Sequence, residues 1–213
     1  RRHTRSLCDW SSDVCSSDLC RRQFNINCDL ASPDYQMFIM QCYNLKDSKQ
    51  YMFSIVVLAQ AFELFFSSYL YEVLVHDPVK DIQDSQKAIV LGDLEGKLYG
   101  EIEKFTYQKI RNVFLNTVTE GLFSLTPSEA SAIIQSIPSK CSDPSDAKID
   151  TCQNTDIKRL LHDLKNSRIA SLRNRVVHKQ GYRPRLDEVE NALSEARRII
   201  FGLDSYLGAR WQA

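Results

Sequence analysis

The sequence predicts an all-α protein, and three observations support this fold class. Only 7 glycines and 6 prolines occur in 213 residues. Leucine, isoleucine, glutamate, lysine and glutamine are abundant, and these are mostly good helix formers. No run of strand length shows strict alternation of apolar and polar residues. We therefore predict a single bundle of five or six helices, since this length suits one domain with a substantial core.

The first 19 residues are predicted to lie outside this bundle. Read back through the genetic code, DWSSDVCSSDL (residues 9–19) fits one frame of a common sequencing adapter. Residues 1–5 fit its upstream part, and residues 6–8 would span its variable index. We therefore interpret residues 1–19 as translated adapter and expect a disordered tail without function. On this interpretation the natural N-terminus is missing, and residues 20–213 form the helical domain.

The first two helices are predicted from a start signal and a long apolar run. The Ser-Pro step at residues 32–33 is typical of a helix start, and apolar residues follow at helical spacing to residue 45. A second helix is expected from Asp47 or Ser48 to about Val75, apolar nearly all round. This pattern favours the middle of the bundle over a membrane span, because Glu63 lies near its centre.

Two more helices are predicted before a polar loop. A helix over 93–120 carries the apolar stripe Leu98, Ile102, Phe105, Ile110, Val113, Phe114 and Val118. A capping box from Thr126 to Glu129, with Pro127 at the first helical position, predicts a short helix over 127–137. Residues 138–153 have the composition of an exposed loop insert.

The last part of the chain predicts two helices. Asn154 or Thr155 caps the first, and its apolar stripe moves out of step by one residue, so a bend is expected around residues 166–167. Gly181 is expected to end this helix. A closing amphipathic helix is predicted over 187–207.

The cysteines predict neither a metal site nor a cofactor. Apart from the three in or beside the adapter segment, the cysteines form no CxxC pair and show no zinc-type spacing with histidine; they are Cys28, Cys42, Cys141 and Cys152. Free cytosolic thiols are favoured over a Cys141–Cys152 disulfide across a loop. We therefore expect a cytoplasmic protein without bound metal.

Charge is concentrated in one segment of a chain whose net charge is zero. Residues 157–185 contain nine lysines and arginines against the single acid Asp163. A local basic face of this kind is typical of proteins that bind a phosphate-bearing partner. The alternative is a solvated surface whose charge is neutralised by acids on other helices, and the charge pattern alone does not separate the two.

Within the basic segment, LRNRVVHKQGYRP (residues 172–184) contains an RNxxxH pattern. Asn174 and His178 are four residues apart and share a helical face, whereas Arg173 lies about 140° around the helix from His178. A histidine acts as acid or base near neutral pH, an arginine stabilises charge on a phosphate, and an asparagine orients an oxygen. Together they could promote attack of a ribose 2′-OH on the adjacent phosphate without a metal. The alternative is a purely structural role, in which the histidine side chain caps the end of the helix.

Arg173, Asn174 and His178, late in a helical bundle and followed by Tyr182, resemble the signature of the HEPN superfamily. The apolar segment LAQAFELFFSSYL (residues 58–70) also resembles the first core helix of those domains, and the resemblance spans about residues 33–207. It implies a helical bundle that dimerises with the two motifs facing each other. Many members are metal-independent endoribonucleases of toxin–antitoxin, abortive-infection and CRISPR-linked defence systems.

The resemblance assigns roles to individual residues. It makes Arg173 and His178 the catalytic pair and Asn174 the supporting polar residue of the catalytic site. On one straight helix, Arg173 and His178 could not point at the same atom. A twofold axis beside the helix would bring the motifs of two subunits into one cleft, so that side chains from both could act together. The side chains expected to hold RNA phosphates are those of Arg168, Arg175, Lys179 and Arg183.

Two further residues have alternative interpretations. The subgroup paired with nucleotidyltransferase antitoxins resembles RxxxxHxY, but here Gln180 stands two residues after His178 and the tyrosine is Tyr182. Nucleotide transfer onto Tyr182 is one expectation, and packing of its ring against the bundle is the other. Glu63 is expected either to pair with Arg173 inside the bundle or to face solvent.

The predicted function is that of a metal-independent endoribonuclease from a microbial toxin–antitoxin or anti-phage defence system. RNA, a second copy of the chain and an antitoxin or other defence protein are the expected partners, and no membrane is expected. One alternative is a non-catalytic HEPN module that binds nucleotide, RNA or a protein partner. Another is an unrelated helical interaction protein in which the motif occurs by chance.

Overall fold

The computed structural model describes residues 14–16, 23–25, 34–122 and 124–208. These fall into two units that divide between Pro33 and Asp34. In the first unit, strands β1 (Val14–Ser16) and β2 (Gln23–Asn25) pair antiparallel, with Val14 opposite Asn25. The disorder expected for residues 1–19 therefore lies, apart from β1, outside the described residues. Cys28 and the Ser-Pro helix start at 32–33 also lie outside them.

The second unit is all-α, as predicted. Eight of its described helices have ten or more residues, so the expected five or six helices were too few. The helices are α1 (Asp34–Asp47), α2 (Tyr51–Tyr71), α3 (Asp84–Ile102), α4 (Tyr107–Glu120), α5 (Pro127–Ser136), α6 (Asp146–Asp150), α7 (Thr155–Lys165), α8 (Ile169–His178) and α9 (Leu186–Gly208).

The extra helices arise because two predicted helices are each broken once. The helix predicted over 93–120 begins earlier, at Asp84, and is interrupted at residues 103–106, where Thr106 is extended and starts α4. The helix predicted from Asn154 ends at Lys165, and α8 begins at Ile169. The one-residue shift in the apolar stripe marks this second break, which is a full interruption rather than a bend.

The long apolar helix α2 lies at the centre of the unit, where it packs against α1, α4, α8 and α9. It begins at Tyr51 rather than at 47 or 48, because Lys49 adopts a left-handed conformation (φ 61°) that ends α1. It continues through a π-helical turn at Glu72–His76 into a 3₁₀ turn at Asp77–Val79. Tyr51–Val79 is the one described helical stretch long and apolar enough to cross a membrane, and half of its most apolar part is buried inside the protein.

Aromatic side chains of α2 and α4 form the centre of the core. Phe62, Phe66 and Phe114 are fully buried. The rings of Phe66 and Phe114 are 4.9 Å apart, and Tyr69 meets Phe114 edge to face at 5.0 Å. Tilted and edge-to-face contacts of this kind add to the burial of apolar area. They hold α2 rigidly against α4.

The polar side of α4 holds the segment predicted as a loop insert. Asn112 Nδ2 donates to the Cys141 carbonyl at 3.0 Å, and Asn116 Nδ2 donates to the Lys140 carbonyl at 2.8 Å. Arg111, only 6% exposed, donates to the Lys165 carbonyl at the end of α7. The segment also contains a 3₁₀ turn and α6. These hydrogen bonds therefore attach residues 138–153 to the core.

The closing helix α9 connects the two ends of the unit. It packs against α1, α2 and α7. Tyr35 of α1 donates a hydrogen bond to Asp204 at 2.8 Å, and Tyr206 donates one to Asp156 of α7 at 2.8 Å. Without α9, the apolar faces of three helices would remain exposed to water.

Candidate functional site

The RNxxxH motif lies on α8, which packs against the central helix α2. The charge of Arg173 on α8 interacts with that of Glu63 on α2. Arg183, ten residues after Arg173, contacts Met52, which lies eleven residues before Glu63 in α2. Residue numbers thus rise along one segment as they fall along the other, so α8 and the loop after it run antiparallel to α2. The motif therefore lies on a helix that packs against the central helix of the core.

Arg173 is half-buried and interacts with its two predicted neighbours. Its Nη1 donates to Asn174 Oδ1 at 3.2 Å. Glu63 is also half-buried; burial raises the pKa of its carboxyl, and the positive charge of Arg173 opposes that rise. Glu63 therefore lies between its two expectations: it is half-buried and close enough to Arg173 for their charges to interact, but the two side chains form no ion pair.

His178 is the last residue of α8, and its side chain is exposed. Within the described part of the chain, its ring forms no hydrogen bond that would identify it as a cap of the helix end. The helix is instead ended by the backbone, where Lys179 becomes extended and its N–H donates to the Arg175 carbonyl at 3.0 Å. The imidazole is therefore accessible to a ligand, although it makes no hydrogen bond to Arg173 or Asn174.

Arg175 and Tyr182 belong to a cluster with Glu188 of α9. The Arg175 guanidinium lies over the Tyr182 ring, 4.6 Å from its centroid, and its Nη2 is 3.6 Å from Glu188 Oε1. The Tyr182 hydroxyl donates to the same carboxylate at 2.9 Å, and burial raises the pKa of this hydroxyl. Tyr182 thus packs against the bundle, and Arg175 already has an acidic partner.

Glu188 was missed from the sequence because it lies beyond the basic segment, in the first turn of the next helix. The Arg185 backbone N–H donates to its Oε2 at 3.0 Å, and this bond is the main reason its pKa is lowered. An acid three residues after Arg185, at a helix start, is a capping signal that could have been recognised.

The basic segment separates into neutralised and unneutralised residues. Lys158 and Lys165 of α7 pair with Asp150 and Asp146 at 2.8 and 2.9 Å. Arg168, Lys179 and Arg183 are exposed and have no carboxylate partner among the residues that the structure describes. The alternative of a surface neutralised by acids on other helices therefore holds for these two α7 lysines and for Arg175, and not for Arg168, Lys179 and Arg183.

Neither the carboxylates and histidines nor the thiols of the described residues form a metal site. In the described ranges, no group of three or more His, Cys, Asp or Glu residues is placed to hold a metal ion. Cys42 is a buried free thiol, and Cys141 is a free thiol whose Sγ donates to the Ile137 carbonyl at 3.5 Å. The Cys141–Cys152 disulfide alternative is therefore not formed.

Comparison with known proteins adds no relative to this picture. No family model, no curated protein and no solved structure matches the chain. The HEPN resemblance therefore remains a prediction from the motif and its position in a helical bundle.

Proposed function

We propose that this protein is a HEPN-type, metal-independent endoribonuclease of a microbial toxin–antitoxin or anti-phage defence system. The proposal rests on the contacts and the exposure of the motif residues in the structure. Arg173 is hydrogen-bonded to Asn174 and electrostatically coupled to a half-buried carboxylate, while His178 is exposed beside unneutralised basic residues. An oriented arginine and an accessible histidine are the groups that such a reaction requires.

The reaction we propose is an internal transfer at one phosphate of RNA. His178 accepts the proton of the ribose 2′-OH, whose oxygen forms a bond to the adjacent phosphorus. The bond from phosphorus to the 5′-oxygen breaks, and that oxygen takes a proton from the protonated His178 of a second subunit. Arg173 stabilises the charge on the phosphate oxygens, and Asn174 orients Arg173. The products carry a 2′,3′-cyclic phosphate and a 5′-hydroxyl.

A homodimer is part of the proposal, because one helix does not direct Arg173 and His178 at the same atom. Val177, next to His178, is apolar and 48% exposed. An exposed apolar side chain beside a catalytic histidine suits a subunit contact. We propose that RNA phosphates lie along Arg168, Lys179 and Arg183, that the protein is cytoplasmic, and that an antitoxin or another defence protein restrains it.

A second candidate is a HEPN module that binds nucleotide, RNA or a partner without cleaving. The position of His178 supports it, because within the described part of the chain its ring makes no hydrogen bond to Arg173 or Asn174. Such a module would bind RNA and leave it intact.

The test is incubation of the protein with total RNA in excess chelator, followed by analysis of product ends. We expect cleavage to cyclic or 3′-phosphate ends, and a loss of about 100-fold or more with His178→Ala. Circular dichroism is expected to show that the exposed substitution leaves the fold intact. Cleavage that survives in His178→Ala would refute the catalytic assignment, and RNA binding without cleavage by the parent would favour the second candidate.

A further inference from the structure

A pocket opens where the turn between α1 and α2 meets the loop that follows α8. Residues 49–53 line one side, and Arg183 and Pro184 line the other. The two sides touch where Arg183 Nη1 lies 3.1 Å from Met52 Sδ. Phe53 is 64% exposed at this pocket, which is unusual for a phenylalanine. The pocket therefore combines an accessible aromatic ring with residues from two distant parts of the chain.

The charge of this pocket is positive and is not neutralised. Lys49 and Arg183 are its charged lining residues, and neither has a carboxylate partner within the described part of the chain. By contrast, nearby Lys46 is paired with Asp47 at 3.3 Å and lies 3.8 Å from Glu190. Cations beside an accessible aromatic ring suit single-stranded nucleic acid, since a base stacks on the ring and a phosphate binds the cations.

The backbone of Lys49 gives an independent reason to assign it a role. Its φ of 61° lies in the left-handed region, at the end of α1, where the Lys49 N–H donates to the Lys46 carbonyl at 2.9 Å. Glycine is the usual residue at such a helix end, because other L-residues are strained there. Glycine would relieve this strain, so the backbone alone does not account for a lysine at this position.

The position of the pocket relates it to the proposed catalytic residues. Met52 and Glu63 lie eleven residues apart, or about 16 Å along α2, with Arg183 beside the first and Arg173 coupled to the second. His178 lies between Arg173 and Arg183 in the sequence. The pocket thus flanks the catalytic residues rather than containing them.

We propose that this pocket binds a nucleotide of single-stranded RNA that flanks the cleaved phosphate. The base stacks on Phe53, and the phosphate binds Lys49 and Arg183. The assignment of the RNA as substrate rests on the proposed function, whereas binding in the pocket can be measured without cleavage.

The test measures the affinity of the full chain for a fluorescein-labelled 2′-O-methyl RNA oligonucleotide, which cannot undergo 2′-OH attack. Phe53→Leu is expected to weaken binding by about fivefold or more, whereas Phe53→Tyr, which keeps an aromatic face, binds like the parent. Lys49→Gly should weaken binding and reduce the slope of log K against log salt by about 0.7, because one phosphate contact is lost. The slope for Phe53→Leu stays that of the parent.

Stability and a control lysine separate binding from folding. Lys49→Gly is expected to raise the thermal unfolding midpoint by a few degrees while it weakens binding, since glycine relieves the backbone strain. Lys104→Ala, which removes an exposed lysine between α3 and α4, should change neither property. No binding by the parent, or equal affinity and salt slope for the parent and the Lys49 and Phe53 variants, would overturn the proposal.

Two results distinguish this inference from the proposed function. Weaker binding by the pocket variants, together with no cleavage by the parent, would retain the pocket and reject the ribonuclease. Cleavage that depends on His178, with unchanged binding by the pocket variants, would support the ribonuclease and reject the pocket. If Phe53→Leu weakens binding but also changes the mass measured by light scattering, Phe53 belongs to a subunit contact and the nucleotide assignment fails.

Discussion

Glu63 is a carboxylate in the central helix of the bundle, and its environment opposes its charge. Burial raises its pKa from an ordinary value near 4.5, and the attraction of Arg173 only partly compensates. A half-buried carboxylate is a poor choice for stability, because a neutral side chain of the same shape would cost less to bury. Its presence is explained if it orients Arg173, which makes it a positioning residue.

We predict that Glu63→Gln stabilises the protein near pH 7 and lowers its RNA cleavage. The native carboxyl keeps its proton to a higher pH than the unfolded one, so its contribution to the unfolding free energy falls as pH rises from about 4.5 through the raised native pKa. Glu63→Gln has no carboxyl to ionise and therefore does not lose this stability. Its thermal unfolding midpoint should exceed that of the parent at pH values above this range and approach that of the parent at pH values below it. Thermal unfolding at several pH values measures the difference.

The exposed Glu103 provides the matched control, since Glu103→Gln should alter neither the pH dependence nor cleavage. Full cleavage by Glu63→Gln would mean that the carboxylate does not position Arg173. The KM of the cleaved RNA should change little, because Glu63 is expected to act through Arg173 on the reaction rather than on binding.

The candidate site was predictable from the sequence where its members are close together in the chain. Arg173, Asn174 and His178 were selected as candidates from the RNxxxH pattern over six residues and from its resemblance to the HEPN signature. Glu188 and the pocket residues Lys49 and Phe53 could not be found in this way, because they lie on other elements. The half-buried position of Glu63 also depended on how α2 and α8 pack, which a single sequence leaves open.

At the scale of elements, α5 shows how local signals fix a boundary. The predicted capping box is present, with the Thr126 N–H donating to Glu129 Oε2 at 2.8 Å and the Glu129 N–H donating to Thr126 Oγ1 at 3.3 Å. These two bonds satisfy N–H groups that a helix start otherwise leaves without partners. The start of α5 at Pro127 was therefore predicted to the residue.

We predict that Thr126→Ala destabilises the protein by about 1 kcal/mol near neutral pH. Hydrogen bonds from Thr126 lower the pKa of the Glu129 carboxyl in the folded protein. The stabilisation that the ionised carboxylate contributes is therefore present at pH values above its ordinary pKa, and it is lost as the pH falls through the lowered pKa. Urea unfolding should accordingly show a smaller difference between variant and parent at low pH. Thr119→Ala is the control, because that hydroxyl bonds carbonyls of its own helix and should contribute little.

The breaks at residues 103–106 and 166–168 were harder to predict than the starts. An apolar stripe continues across the first break, so periodicity alone suggested one helix. The break instead follows from burial of α4 on all sides, including its polar residues Arg111 and Asn116. Their partners are backbone carbonyls of later segments, which no local pattern in α4 identifies.

At the scale of the whole molecule, the all-α class was predictable and the assembly is a matter for experiment. Composition fixes the class, because it depends on the average of many residues. Subunit contacts depend on a few exposed side chains, of which Val177 is the one next to the proposed catalytic histidine.

We predict that Val177→Glu converts a dimer of about twice 24.5 kDa into a monomer and abolishes cleavage. A charge at the subunit contact opposes association, while the exposed position leaves the fold unchanged. Light scattering measures the mass, and RNA cleavage measures activity. Ile89→Glu, on α3 and even more exposed, should leave both unchanged. A dimeric, active Val177→Glu protein would contradict the shared site.

The position of α9 has a consequence for synthesis on the ribosome. The motif of α8 is translated before α9, yet α1, α2 and α7 need α9 to cover their apolar faces. A growing chain that has just produced His178 therefore holds the proposed catalytic residues without a completed core. For a protein proposed to cut RNA, this order would delay activity until α9 has also been made.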